Sequence, residues 1–157
     1  MTKPRFISTK TYTHSIGLSA AFRQWRAESH CRFIHGYSLE VHVKFIEKAG
    51  LDIRNWVVDF GSLKSFKGML EDTFDHKTLV AEDDPYLQKF MDMQSMGLMQ
   101  VVKVPNCGCE AFAGMLFEYA QIWLKDNGYG SVDVFEVEVR EHAANSAIAR
   151  NPAYLHA

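Results

Sequence analysis

The chain has 157 residues, nearly half of them apolar, with 17 basic and 19 acidic side chains and a formal net charge of -2. That length suits one domain, residues 1–157, built on a single sizeable core. The near balance of charge leaves no basic face for nucleic acid and no polybasic helix for a membrane surface.

No apolar run approaches the roughly 20 residues that span a bilayer, and the N-terminus lacks the apolar core of a signal peptide. The sequence therefore reads as soluble and cytoplasmic, with small molecules or proteins as partners. Its three cysteines, Cys31, Cys107 and Cys109, are an odd set poorly spaced for a disulfide framework, so reduced thiols are expected.

In chain order, residues 6–22 hold the β-rich run Thr9 to Thr13 and then Ile16-Gly17-Leu18, predicting a long first strand with a glycine bulge. Arg23 to Ser29 is polar apart from Trp25 and reads as a connecting loop. In the next segment Tyr37, Leu39, Val41, Val43 and Phe45 alternate with Ser38, Glu40, His42 and Lys44, the period of a strand with one wet face. These two strands are expected to form a large antiparallel hairpin.

Trp56-Val57-Val58 reads as a short strand, followed by a helix capped by Asp59 or Ser62 with Leu63, Phe66 and Leu70 on one stripe. Asp84-Pro85 reads as the opening of another helix that stops near Gly97. A strand from Met99 to Val104 precedes the strongest helix, Glu110 to Lys125, where Phe112, Met115, Leu116, Tyr119, Ile122 and Trp123 recur at spacings of three and four. The last strand, Val132 to Glu141, alternates with one parity break near Phe135, and residues after Asn145 show no clear period.

This order predicts an α+β fold, a four-stranded antiparallel sheet with helices on one face. Such a sheet has two open edges, and oligomerisation is one way to close them.

Several constellations can carry chemistry. Cys31 lies four residues before His35 and next to His30, where a nearby base can make a thiol a nucleophile or proton acceptor, although packing is the commoner role of a cysteine beside a histidine. Asp75-His76 can form an oriented general base or an ordinary surface pair. Cys107, Gly108, Cys109 and Glu110 sit at the start of the strongest helix, where free N–H groups can hold an anion or the polar edge of a ring; the plainer alternative is a helix start capped by Asn106. Glu141 shares the parity of Phe135, Val137 and Val139, so an apolar strand face ends in a carboxylate that must find donors, either N–H groups of a heterocycle or an arginine across the sheet.

Taken together, these pieces resemble the 6-pyruvoyltetrahydropterin synthase family, and within it the bacterial 6-carboxytetrahydropterin synthases that make a precursor of queuosine and related 7-deazaguanines. The resemblance runs through Ala20-Ala21-Phe22, Cys31 to His35-Gly36-Tyr37, Asp59-Phe60-Gly61-Ser62-Leu63-Lys64, Asp75-His76, Asn106 to Glu110, and Glu141. It implies a tunnelling fold whose subunits join their sheets into a barrel, a homo-oligomer and specifically a hexamer, with active sites at subunit contacts. It further implies that Cys31 accepts a proton with help from Asp75 and His76, that Glu141 anchors a pterin ring, and that Cys107 to Glu110 adjoin it.

The family's zinc is held by three histidines, at positions that here are Phe22, His35 and Tyr37. One imidazole, His35, cannot hold a catalytic zinc, which normally takes three protein ligands, so zinc is expected only if His30, Cys107 or Cys109 converges on it. The leading expectation is an enzyme that converts dihydroneopterin triphosphate or a related pterin. The alternatives are a pterin- or purine-binding relative without activity, and a metal-independent lyase or epimerase acting on a pterin side chain.

Overall fold

The structure, a computed structural model, describes residues 3–155. Seven strands form one mixed sheet: β1 (Ile7–Tyr12), β2 (Leu18–Phe22), β3 (His35–Glu47), β4 (Lys77–Ala81), β5 (Val101–Val104), β6 (Val132–His142) and β7 (Asn145–Arg150). The helices are α1 (Lys64–Phe74), α2 (Leu87–Ser95) and α3 (Cys109–Asp126).

The organising strand is β3. Its inward residues Leu39, Val41, Val43 and Phe45 are fully buried, as their alternation requires. They meet Phe66, Leu70 and Phe74 of α1 and Phe112, Leu116 and Ala120 of α3 in one core. Trp123 joins the aromatic part of that core against Phe45 and Phe66 and donates its indole N–H to Ser65 Oγ at 2.9 Å.

The expected long first strand is broken. Residues 14–16 make a 3-10 turn, Gly17 takes the left-handed conformation with φ 83°, and the chain resumes as β2. Both halves still pair antiparallel with β3, Ile7 opposite Ile46 to Tyr12 opposite Val41, then Leu18 opposite Leu39 to Phe22 opposite His35.

The sheet is larger than the predicted four-stranded antiparallel one. Of the four expected strands, the first (split into β1 and β2) and the last (β6) pair antiparallel with β3. The expected strand at 99–104 is β5, which runs parallel to β4, itself parallel to β2, and β7 adds an antiparallel edge that the sequence did not predict. Thr78, Leu79, Val80 and Ala81 of β4 are all buried, so this strand lacks the alternation of a half-wet one. The parity break near Phe135 is a β-bulge: Lys44 pairs with Glu136 and Phe45 with Val134, leaving Phe135 unpaired and packed on Tyr154 instead of in the core.

Three local expectations are corrected. Trp56-Val57-Val58 is not a strand, because the Asp52 carboxylate gathers the backbone N–H groups of Arg54 and Trp56 into a turn. The helix expected from Asp84-Pro85 begins at Leu87, and Asp84 is buried under the guanidinium of Arg23. The α3 helix is capped by Gly108 with no side-chain cap bond, not by Asn106.

Candidate functional site

One end of the sheet gathers the end of β2, the start of β3, the end of β6 and the start of β7. The N-terminus of α3 closes the same region. Between them lies a cleft of about 570 Å³ lined by residues that include Cys31, His35, Cys107, Cys109, Glu110 and Glu141. Gly108 and Phe22 complete the sequence-predicted residues found there.

The backbone explains the close approach at this end. A Cβ on Gly36 would sit 2.7 Å from the carbonyl oxygen of Ala20, so only glycine lets β3 run this tightly past β2. His35 and Tyr37 flank that contact, each pairing with β2, opposite Phe22 and Ala20 respectively.

Cys31 lies on a 3-10 turn, His30–Arg32, whose preceding Ser29 caps the Cys31 N–H. The loop is tied from outside: the N–H of Gln24 donates to the Cys31 carbonyl at 2.9 Å, and Arg23 donates to the Arg32 carbonyl at 3.3 Å. Gln24 then reaches with its side-chain amide to the Cys107 carbonyl at 2.9 Å. Arg23 is itself locked by a two-point ion pair with Asp84 at 2.6 and 2.8 Å. Burial opposes ionisation of Asp84, but Arg23 and the Tyr86 N–H outweigh it and hold its carboxyl below the usual range. Sequence reasoning missed Gln24 because its segment has no period; only its polarity beside the end of β2 offered a signal.

Glu141, half-buried, is the extra residue of a β-bulge between Arg140 and His142 where β6 pairs with β7; it lines the cleft and, among the described residues, forms no salt bridge. The arginine that could have neutralised it, Arg140, is spent on Glu138 at 2.7 Å and Glu40 at 3.7 Å. The Cys109 thiol is pushed up to about 12, first by burial and then by the negative charges of Glu141 and Glu110. Burial also raises the Cys107 thiol to about 11, and its Sγ donates to the Leu79 carbonyl at 3.5 Å. Both thiols are therefore held neutral at physiological pH. The Tyr37 hydroxyl is raised by burial and then by Glu141, Cys31 and Cys109, which places it among the same acidic groups.

Asp75 and His76 do not line this cleft. They lie between α1 and β4, where the His76 N–H donates to the Ser19 carbonyl at 2.8 Å and Asp75 Oδ1 meets His76 Nδ1 at 2.6 Å. His76 has φ 57°, a strained conformation for a non-glycine residue, and its side chain is 85% exposed. The pair is thus an oriented imidazole facing outward.

A model of the 6-pyruvoyl tetrahydropterin synthase family matches residues 11–152. The chain belongs to that family. No curated protein matches it significantly. Among solved structures, an uncharacterised protein from Wolinella succinogenes superposes with TM-score 0.79 at 22% identity, covering 95% of this chain and 99% of that one. The 6-pyruvoyl tetrahydropterin synthase of Plasmodium vivax gives TM-score 0.66 at 13% identity over 93% and 98% of the two chains. That of Caenorhabditis elegans gives 0.62 at 17% identity over 94% and 96%. At these identities the structural likenesses establish the fold, and the family match establishes membership.

The zinc that the family resemblance implies does not fit the donor set present here. At the three positions stand a phenyl, an imidazole and a phenol packed against one another: ring centroids are 5.2 Å apart for Phe22 and His35, 5.6 Å for His35 and Tyr37, and 6.1 Å for Phe22 and Tyr37. Phe22 is 2% exposed and edge-on to Phe112 at 5.1 Å, and it has no donor atom. His35 donates its Nδ1–H to the Phe33 carbonyl at 2.7 Å, which leaves Nε2 as the one imidazole donor atom among the three positions. His30 does not join the cleft lining, and among the described residues no three His, Cys, Asp or Glu side chains converge as a metal site.

Proposed function

We propose that this protein is a pterin-processing enzyme resembling the 6-carboxytetrahydropterin synthases, a carbon-oxygen or carbon-carbon lyase acting on dihydroneopterin triphosphate or a related pterin in queuosine, 7-deazaguanine or pterin biosynthesis in the cytoplasm. The observation that carries the reading is the meeting of Glu141, a carboxylate with no salt-bridge partner among the described residues, with Cys31 in one cleft. A carboxylate there accepts two hydrogen bonds from the amino group and ring N–H of a pterin and fixes the ring edge-on. Cys31, held by the Gln24 contact, then takes a proton from the substrate side chain.

The outward-facing Asp75-His76 pair serves the cleft of a second copy, where the imidazole accepts or returns the proton that Cys31 handles. Two features support a homo-oligomer of this kind. Among the described residues β1 pairs only with β3, leaving one edge open, and the exposed side chains of Phe6, Ile7, Trp56 and Phe60 flank it.

One observation favours a second reading, a metal-independent pterin side-chain lyase or epimerase. The aromatic cluster of Phe22, His35 and Tyr37 occupies the place of the family's metal ligands, so acid-base chemistry by Cys31 and His76 is what this chain's own residues supply.

The test is titration and turnover with dihydropterins that carry different side chains. Glu141→Ala is expected to abolish binding, whereas Cys31→Ala keeps binding and loses turnover. Binding that survives Glu141→Ala, or turnover that survives Cys31→Ala, sinks the assignment.

A further inference from the structure

The β6–β7 hairpin carries a second recognition group beside Glu141, and this step rests on the pterin reading above. Across the hairpin His142 pairs with Asn145 and Arg140 with Ser146, so Glu141 bulges out opposite Asn145 and Ser146, and all three line the cleft. Ser146 is already committed, its hydroxyl donating to Glu138 Oε1 at 2.7 Å. Asn145 is the neutral polar group left beside the carboxylate.

The direction of its amide is set by His142. The Ala144 backbone N–H donates to His142 Nδ1 at 3.2 Å, so that nitrogen is an acceptor and the ring hydrogen sits on Nε2. Nε2 stands 3.3 Å from the Asn145 side-chain amide. An imidazole cannot accept at both nitrogens, so Nε2 donates and the amide turns its oxygen to it. The Tyr37 ring, with its centroid 6.0 Å from that of the imidazole, backs the histidine from β3. With its oxygen taken, the Asn145 amide offers the cleft its NH2 group, a donor next to the acceptor carboxylate of Glu141.

Such a donor beside such an acceptor matches one edge of a 2-amino-4-oxo ring. The amino group and the ring N–H go to Glu141, and the next group along the same edge is the ring carbonyl, which needs a donor. We infer that Asn145, oriented by His142, donates to that carbonyl and makes the cleft selective for a ring with an oxygen there over a ring with an amino group there.

The experiment is fluorescence titration of the full chain, in whatever assembly it forms, with pterin and with 2,4-diaminopteridine, read as the ratio of their affinities. Asn145→Ala is expected to lower the pterin preference about tenfold, the worth of one well-placed hydrogen bond. Asn145→Asp, which puts an acceptor where the NH2 group stood, should lower it further. His142→Ala is expected to lower it severalfold, because the freed amide can turn. A hairpin that merely loses its shape weakens both ligands alike and leaves the ratio where it was. An unmoved ratio in Asn145→Ala or in His142→Ala therefore overturns the inference and leaves the pterin reading standing. If pterin does not bind the unaltered protein, the pterin reading itself falls and this inference with it.

Discussion

Gln24 holds Cys31 and Cys107 at a set spacing: its backbone N–H donates to one carbonyl and its side-chain amide to the other, both at 2.9 Å. The two cysteines lie 76 residues apart in the chain, and this residue ties their loops together across the cleft. Replacing Gln24 by alanine removes one hydrogen bond with a net worth of about 1 kcal/mol, which the fold tolerates. It also frees the α3 start to drift relative to Cys31, and drift of that kind costs about 10- to 100-fold in kcat/KM. The expected result is a melting temperature within a few degrees of wild type and a large loss of pterin turnover. Unchanged turnover would mean that Gln24 does not set the site.

Restoring the family's histidines is a direct test of the aromatic cluster. The Phe22→His, Tyr37→His double variant places three imidazoles on β2 and β3 around the Gly36 contact. Without metal it is expected to lose roughly 2–4 kcal/mol, because the buried edge-to-face contact of Phe22 with Phe112 is lost. With zinc it should regain stability and hold about one ion per subunit, against less than about 0.1 for wild type. Elemental analysis after gel filtration reads both numbers. Stoichiometric zinc in the wild-type protein would show that other donors converge.

Much of this arrangement was legible in the residues, for definite reasons. The alternation in β3 and the stripe on α3 each report one buried face, and those faces meet in the core. The parity break near Phe135 marked the bulge that returns Val137 and Val139 to the inward face. By contrast, β4 is buried along Thr78 to Ala81 and carries no period, and in β7 only the small Ala147 and Ala149 turn toward the core while Ile148 is exposed, so its alternation does not read as a strand with an apolar inner face. The cleft was legible residue by residue but not as a constellation. Cys31, Glu110 and Glu141 lie on three separate elements, and their convergence follows from sheet order. Asp84 looked like a helix start because its partner, Arg23, is 61 residues away.

The two buried thiols make stability fall at alkaline pH. Cys107 titrates at about 11 and Cys109 at about 12 in the folded protein, against an ordinary thiol value of 9.0. Because the folded values are raised, their contribution is complete below the unfolded value and is lost as pH climbs toward the folded values. Between pH 8 and pH 10 the loss should come to roughly 2–3 kcal/mol, at about 1.4 kcal/mol per unit for each thiol. Urea midpoints across this range measure it, and a Cys107→Ala, Cys109→Ala double variant should show a flatter decline. An identical slope in wild type and variant would mean that the thiols are not the source.

If Asp75 and His76 serve a second copy, defects in different parts of the site should complement. Cys31→Ala removes the proton acceptor inside the cleft, whereas His76→Ala removes an imidazole whose side chain is 85% exposed and lies outside it. Each variant alone is expected to retain less than about 1% of turnover, in line with the loss of a general acid-base group. Mixing and reassembling them pairs an intact Cys31 cleft from one chain with an intact His76 from the other at a fraction of the interfaces. Recovered activity near a quarter of wild type follows for random two-chain sites, because one site in four then draws both groups from intact chains. A site complete within one chain has no such route, since every chain in the mixture lacks one of the two groups. No recovery after reassembly, with the oligomer confirmed by light scattering, would place His76 outside the chemistry and leave Cys31 to act without it.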